Sequence, residues 1–353
     1  DEFTVLPTMP CGRERAEALA DRILRLFAAP FDIGGQQVFS GSSVGIVLGR
    51  SEYRTPDQVL RDADTAMYRA KALGKSAHVV FDEAMHRAAR ARFELENDFR
   101  PAFERNEFRV HYQPIVDLAS GRLTACEALV RWEHPERGLL LPAEFLPVAE
   151  ESGLIAALDW WVMEEACRQV AGWHRRYPEF AHLRLNVNVD ERQLAGRNLV
   201  ASVQAVLAAT GIDPGRLMLE VTETVFRSGR DPAQRTLDGL KELGVGLVVD
   251  DFGTGYSSLD SFASSPFDAL KIDRNFVRDV ETNLRHRAIV RTITGFAEDL
   301  GLALTAEGIE TEGQRRLLLD LHCREGQGHL FSMAIPAEGF ERLLQGAPAA
   351  VHA

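Results

Sequence analysis

Seven oxygen-bearing side chains and one lysine stand at or near the ends of apolar stretches along this chain. Glu127 lies within Ala125-Cys126-Glu127-Ala128-Leu129-Val130-Arg131-Trp132, Asn188 closes Leu185-Asn186-Val187-Asn188, and Glu220 closes Leu217-Met218-Leu219-Glu220. Asp250 and Asp251 end Val245-Gly246-Leu247-Val248-Val249, and Lys271 sits in Leu270-Lys271-Ile272-Asp273. Glu307 ends Leu304-Thr305-Ala306-Glu307, and Gln327 lies in the last strand-like stretch, Cys323 to Leu330. Adjacent acids are costly to bury alone, so Asp250 and Asp251 need a hard cation, a basic partner or water. Taken singly, that pair could also form a solvated turn with Asp251 capping the next helix. Gathered around one mouth, the five carboxylates would repel one another without cations. An oxygen-rich set suits magnesium or manganese, whereas zinc more often brings His or Cys.

The elements that must gather these residues begin at Phe108. Eight stretches read as strands: Val110 to Val116, Leu123 to Trp132, Leu183 to Val189, Leu217 to Val221, Val245 to Asp250, Ala269 to Ile272, Leu302 to Ala306 and Cys323 to Leu330. Amphipathic helices separate most of them, among them Leu154 to Arg175, Leu199 to Thr210, Pro232 to Leu243 and Leu284 to Leu300. Alternating strand and helix argues for an α/β fold with a parallel sheet. Eight such units over about 250 residues argue for a closed (β/α)8 TIM-like barrel, whose strand ends converge on the face where active sites form. The short turn Asp117 to Gly121 makes the first two strands a hairpin, so one strand is expected to run antiparallel.

Composition narrows the function classes. The 353 residues, 45% of them hydrophobic, can bury a sizeable core and suggest a large unit beside a smaller one. A net charge of −12 argues against holding duplex nucleic acid by phosphate neutralisation, and a small anionic ligand would need local cations. Cys11, Cys126, Cys167 and Cys323 are widely spaced, with no Cys-x-x-Cys pair, and the ten histidines include no His-Glu-x-x-His. Structural zinc and a disulfide framework are therefore not expected, and a reducing cytoplasm is. No apolar run approaches a membrane span and the first residues do not read as a signal peptide, so any membrane anchor or sensory domain is expected upstream.

Residues 1–82 read as a small α/β piece, with helical spacing in Arg15 to Phe27 and Pro56 to Leu73 and an extended segment from Gln37 to Val47. Ser43-Val44-Gly45-Ile46 and Ala63-Asp64-Thr65-Ala66-Met67-Tyr68-Arg69-Ala70-Lys71-Ala72-Leu73-Gly74-Lys75 resemble a strand and the last long helix of GGDEF domains, the diguanylate cyclase family. Asp1-Glu2-Phe3 resemble the closing letters of that family's signature. The resemblance implies a partial domain lacking the signature glycines and the metal and nucleotide contacts before them, and therefore not expected to make cyclic di-GMP. Residues 83–94 read as a charged helical connector stiff enough to transmit movement, 95–346 as the barrel domain and 347–353 as a tail.

In the barrel, Glu127-Ala128-Leu129-Val130-Arg131 resembles the signature of EAL domains, the cyclic di-GMP phosphodiesterases. Tyr112-Gln113-Pro114, Leu219-Glu220-Val221-Thr222-Glu223, Asp250-Asp251-Phe252-Gly253-Thr254-Gly255, Lys271-Ile272-Asp273-Arg274, Ala306-Glu307-Gly308-Ile309-Glu310-Thr311 and Gln327-Gly328-His329-Leu330-Phe331 accompany it in the family's order. One departure is Asn188-Val189-Asp190, where the family often has Asn-x-Ser. The resemblance implies that Glu127, Asn188, Glu220 and Asp250 hold one magnesium or manganese ion, with Asp250 bridging to a second that Asp251 also binds. Glu307 and Lys271 would orient and deprotonate the attacking water, with Glu127 also in the catalytic set. Gln113, Leu129, Arg131, Gln327 and Glu310 would contact the dinucleotide, and Glu223 would steady the loop from Phe252 to Leu259. A homodimer through the EAL domain is also implied.

The reaction so implied is hydrolysis of cyclic di-GMP to linear pGpG, lowering a bacterial second messenger of biofilm and motility signalling. Two cations about 3.5 to 4 Å apart would activate the water and clamp the attacking and leaving oxygens. The other readings are a non-catalytic cyclic di-GMP receptor, which would be expected to have lost an acid, and a scaffold whose site is a relic. Residue by residue, Glu127 with Arg131, or Lys271 with Asp250 or Asp251, could be plain ion pairs. The trio Asp251-Phe252-Gly253 matches a kinase motif, but no Gly-rich loop or His-Arg-Asp accompanies it.

Overall fold

The computed structural model describes residues 2–7, 11–50, 53–72, 76–196, 198–223, 230–253 and 265–346. The chain divides into two compact units, residues 1–98 and 99–353. Among the described residues, no helix is long and apolar enough to cross a membrane.

The first unit holds α1 (Arg13–Phe27), β1 (Phe31–Ile33), β2 (Gln36–Val38), β3 (Val44–Ile46), α2 (Pro56–Ala72) and β4 (His78–Val80), and α3 (Glu83–Glu104) begins in it. The extended segment expected from Gln37 to Val47 is in fact two strands with different partners. Gly34 and Gly35, at φ 65° and 87°, close β2 antiparallel onto β1, while β3 pairs parallel with β4. Gly45 permits α2 to lie on β3, because a Cβ there would stand 2.0 Å from the Ala63 carbonyl oxygen.

The second unit continues with β5 (Phe108–Asp117), β6 (Leu123–His134), β7 (Gly138–Leu140), α4 (Pro142–Glu151), α5 (Ile155–Arg176), β8 (Arg184–Asn188), α6 (Glu191–Ala195) and α7 (Leu199–Thr210). Then come β9 (Leu217–Thr222), α8 (Arg230–Glu242), β10 (Gly246–Phe252), β11 (Ala269–Ile272), α9 (Arg274–Val277), α10 (Leu284–Asp299) and β12 (Ala303–Ala306). The last elements are α11 (Glu312–Asp320), β13 (Glu325–Gly326), β14 (Ile335–Pro336) and α12 (Ala337–Leu344). Strands β5, β6, β8, β9, β10, β11, β12 and β13 pair in that order and β13 returns to β5, closing an eight-stranded barrel. Strand β5 runs antiparallel to both its neighbours, and the other barrel pairs are parallel. The TIM-like barrel with one reversed strand is thus present as expected.

Local chemistry explains the reversal. Asp117 Oδ1 accepts from the Ser120 amide and hydroxyl at 2.7 and 2.5 Å, and Gly121, at φ 71°, turns the chain so that β6 runs back along β5. The parallel strands carry nearly unbroken apolar runs, Leu217–Val221 and Gly246–Val249 among them, because barrel interior and helical layer bury both of their faces. On the outer face of the hairpin, Phe108 and Trp132 pack with Phe99 and Phe145 at ring separations of 5.2 to 6.3 Å. Such aromatic pairs add about 0.5–1.5 kcal/mol each beyond the area they bury.

The expected eighth strand, Cys323 to Leu330, is cut to Glu325–Gly326. Beyond it the chain crosses the end of β12: the Gln327 amide donates to Ala306 O, while the Ile309 and Leu330 amides donate to Gln327 O and Ile309 O. A Cβ on Gly328 would lie 2.1 Å from Ile309 O, so only glycine allows this approach. The crossing carries Gln327 over the barrel mouth.

Candidate active site and metal centre

The inward residues of the parallel strands meet at Lys271, which has no exposed surface. Its Nζ lies 3.0 Å from Glu127 Oε2, 2.9 Å from Glu220 Oε1, 2.5 Å from Glu307 Oε1 and 3.7 Å from Asp250 Oδ1. Strands β6, β9, β10 and β11 and the end of β12 supply these groups, so barrel closure makes a cluster from residues up to 180 positions apart in sequence. Two amides complete it. Asn188 Nδ2 donates to Glu127 Oε1 at 3.0 Å, and Gln327 Nε2 donates to Glu127 Oε2 at 2.7 Å and Glu307 Oε1 at 3.1 Å.

Charge in this cluster is out of balance. Burial alone would depress Lys271, but Asp250, Glu127, Glu220 and Glu307 together hold its ammonium charged well above the ordinary lysine range. Burial would likewise raise Glu127, yet Lys271 and hydrogen bonds from Gln327 and Asn188 bring it below the usual carboxylate value. The remaining acids bear the excess. Burial, with Glu127, Asp250 and Glu307 as neighbours, pushes Glu220 well up. Burial lifts Glu307 to about 8, with Asp250 and Glu127 adding to it against Lys271. Asp251 rises to about 7 through burial, the Asp250 charge and a hydrogen bond with Asp273.

One ammonium among five carboxylates leaves room for further positive charge, and the donor atoms suit it. One oxygen each from Asp250, Asp251 and Glu307 lie within 4.8 Å of one another, and Gln327 Oε1 is buried without a hydrogen-bond partner. Carboxylate and amide oxygens fit hard divalent cations. The residues therefore fit a metal centre, in which Glu307 is a further possible ligand that the sequence reading treated only as a base.

A cavity of about 320 Å³ adjoins the cluster, within the size range of ligand pockets. Gln113, Glu127, Leu129, Asn188, Asp250, Glu307, Glu310 and Gln327, all singled out from sequence, line it. Gln113 stands directly across from Glu127 in the β5–β6 ladder, and its Nε2 donates to Ser332 O at 3.2 Å. Glu310 is exposed at the rim. Arg131 is not among the lining residues; it lies two ladder steps past Leu129 and donates to its own neighbour, Val130 O, at 2.8 Å.

Arg274 and His329 line the cavity too, and the sequence reading gave them no role although both stand inside quoted motifs. Their signal was position: Arg274 opens α9 directly beyond β11, after Asp273 has capped that helix by accepting from Asn275 N at 2.9 Å. Asn186 and Asp273, which bond to Glu220 and Asp251, were also passed over.

Two loop features bear on earlier expectations. Glu223 is buried and its Oε2 accepts from Gly253 N at 3.0 Å; Thr254 to Leu259, the rest of the loop it was expected to steady, lie outside the described residues. Asp190, in place of the more usual serine, caps α6 by accepting from Arg192 N at 2.8 Å, a task a serine hydroxyl also performs.

The family model of the EAL domain matches residues 96–334, and that described as diguanylate cyclase, GGDEF domain, matches residues 1–77. The bifunctional diguanylate cyclase/cyclic di-GMP phosphodiesterase MucR of Pseudomonas aeruginosa is 38% identical over 340 residues, covering 96% of this chain and 49% of MucR. The cyclic di-GMP phosphodiesterase PdeR of Escherichia coli is 37% identical over 342 residues, covering 97% of this chain and 51% of PdeR. This chain spans about half the length of these curated relatives. A solved structure described as the PaMucR phosphodiesterase in complex with c-di-GMP superposes with a TM-score of 0.68 at 41% identity, covering 70% of this chain and 99% of that one.

Proposed function

The chain belongs to the EAL-domain family, and from that premise we propose that it is a cyclic di-GMP phosphodiesterase, hydrolysing the cyclic dinucleotide to linear pGpG with two divalent cations, magnesium or manganese. The observation that carries this reading is the set of four carboxylates sharing one buried ammonium, with Asp251 close by, beside a cavity that also presents Arg274. Glu127, Asn188, Glu220, Asp250 and Asp251 would hold the cations, with Glu307 close enough to Asp250 and Asp251 to join them. When bound, they supply a water of lowered pKa and neutralise charge at the phosphodiester.

The chain's own residues divide the remaining work. Glu307 accepts the proton of the attacking water, and Lys271 and Gln327, both bonded to its Oε1, set its direction. In this reading the part of Lys271, whose Nζ lies 2.5 Å from Glu307 Oε1, is to orient that carboxylate and to balance charge. Gln113 and Leu129 would lie along the dinucleotide, and Arg274 would face phosphate, for which a guanidinium is suited. In pGpG the phosphate stays on the 5′ oxygen, so the bond that breaks joins phosphorus to the 3′ oxygen, which leaves with a proton.

Pairing of two such barrels and a cytoplasmic setting belong to the same reading. The test is turnover of cyclic di-GMP by this chain with magnesium, with excess chelator, and with Glu127→Ala as control. Product only with metal and only from the parent chain is expected. Turnover in excess chelator would overturn the metal mechanism, and tight binding without product would replace the enzyme by a receptor.

A further inference from the structure

We infer that Asn186 is a positioning residue for this centre: its amide holds the Glu220 carboxylate in the orientation that serves a cation. This deepens the proposed function and rests on it. The inward residues of β8 alternate as Arg184, Asn186 and Asn188, one per layer of the barrel interior. In the deepest layer Arg184 Nη2 donates to both oxygens of Glu325, at 2.6 and 2.7 Å. At the mouth Asn188 reaches Glu127 at 3.0 Å, and between them Asn186 Nδ2 donates to Glu220 Oε1 at 2.7 Å.

The register makes this arrangement specific. Asn186 is paired with Glu127 across β6, and Asn188 with Glu220 across β9, yet each amide bonds the other strand's glutamate. The two amides thus cross, and each glutamate is fixed by the residue diagonal to it. Glu220 has Lys271 as its further partner, an ammonium it shares with three other acids. Beneath Asn186 lies a small void of about 10 Å³ lined also by Arg184, Met218, Thr305 and Glu325. Shortening Asn186 would join its volume to that void and let the Glu220 carboxylate turn down towards the Arg184 guanidinium, away from the mouth. Asn186 is buried and does not line the upper cavity, so it touches neither substrate nor reacting water.

The experiment is calorimetric titration of manganese into the metal-stripped chain, for the parent, Asn186→Ala and Asn186→Asp, with a thermal melt of each without metal. Groups that orient a metal ligand commonly govern about 10- to 100-fold of affinity. Both variants are expected to bind manganese at least ~10-fold more weakly than the parent. Asn186→Asp should be no better than Asn186→Ala, since it keeps the shape but offers an acceptor where a donor is needed. At saturating metal the KM for cyclic di-GMP should be unchanged. A folded variant that binds manganese as tightly as the parent overturns the inference alone. If one variant does not fold, the other decides. If the parent itself binds no manganese, the proposed function falls and this inference with it.

Discussion

At the scale of single residues, Lys271 decides how the site is read. A lysine with no exposed surface survives inside a barrel only because four acids surround it, and those acids tolerate burial only because it is there. Lys271→Met should therefore destabilise the metal-free protein by about 3–5 kcal/mol, the usual cost of stranding buried charge. Saturating magnesium should recover part of that loss, because cations replace the missing charge. Denaturant melts with and without metal measure it, and an equal loss in both would make Lys271 a packing residue only. Glu307→Gln keeps shape and the bond to Gln327 while removing the proton acceptor. Turnover should fall by about 10²- to 10⁴-fold with the fold intact, and an unchanged rate would assign Glu307 to structure.

At the scale of elements, strand ends govern how the site is held. The Glu223 carboxylate, just past β9, accepts from Gly253 N just past β10, so it ties together the ends of two neighbouring strands beside Asp250 and Asp251. Glu223→Ala should raise the magnesium concentration for half-maximal turnover and lower the rate while shifting the melting temperature little; a magnesium titration beside a melt would show it. Helix α5 carries a titratable group near its start. Asp159 accepts from Gln193 Nε2 at 2.8 Å and is lifted to about 7 by burial and by Asp190 and Glu150. Its folded pKa lies above its unfolded one, so ionisation penalises the fold increasingly as pH rises from about 4 and levels off above about 7. Asp159→Asn should match the parent's stability near pH 4 and exceed it above pH 7, with melts across that range as the check. A difference independent of pH would place the effect in packing.

At the scale of the whole molecule, metal and fold are linked by mass action. A cation that binds only the native barrel stabilises it by about 2.7 kcal/mol at a concentration 100 times its dissociation constant. Scanning calorimetry of the chain should accordingly show a barrel transition that rises with magnesium, and any separate transition of residues 1–98 that does not. A magnesium-independent barrel transition would count against the metal centre.

Much of this was legible in the chain because its signals are local. Apolar runs and helical spacing are short-range patterns, and they announced eight barrel strands; Asp117 to Gly121 announced the reversed one through turn chemistry alone. Acids and amides at strand ends marked most of the cavity wall, since strands of a parallel barrel present their ends on one face. The rest depended on closure. No spacing along the sequence says that four acids share Lys271, that the amides of Asn186 and Asn188 cross to opposite glutamates, or that Arg131 falls outside the cavity while Arg274 and His329 line it. The last strand was overread for the same reason: the stretch from Cys323 to Leu330 stands where an eighth strand is needed, but Gly328 meets the backbone of Ile309 and takes the chain across β12. Residue type and period determine which face a side chain takes; which partner it meets there is set by strands brought together from distant parts of the chain.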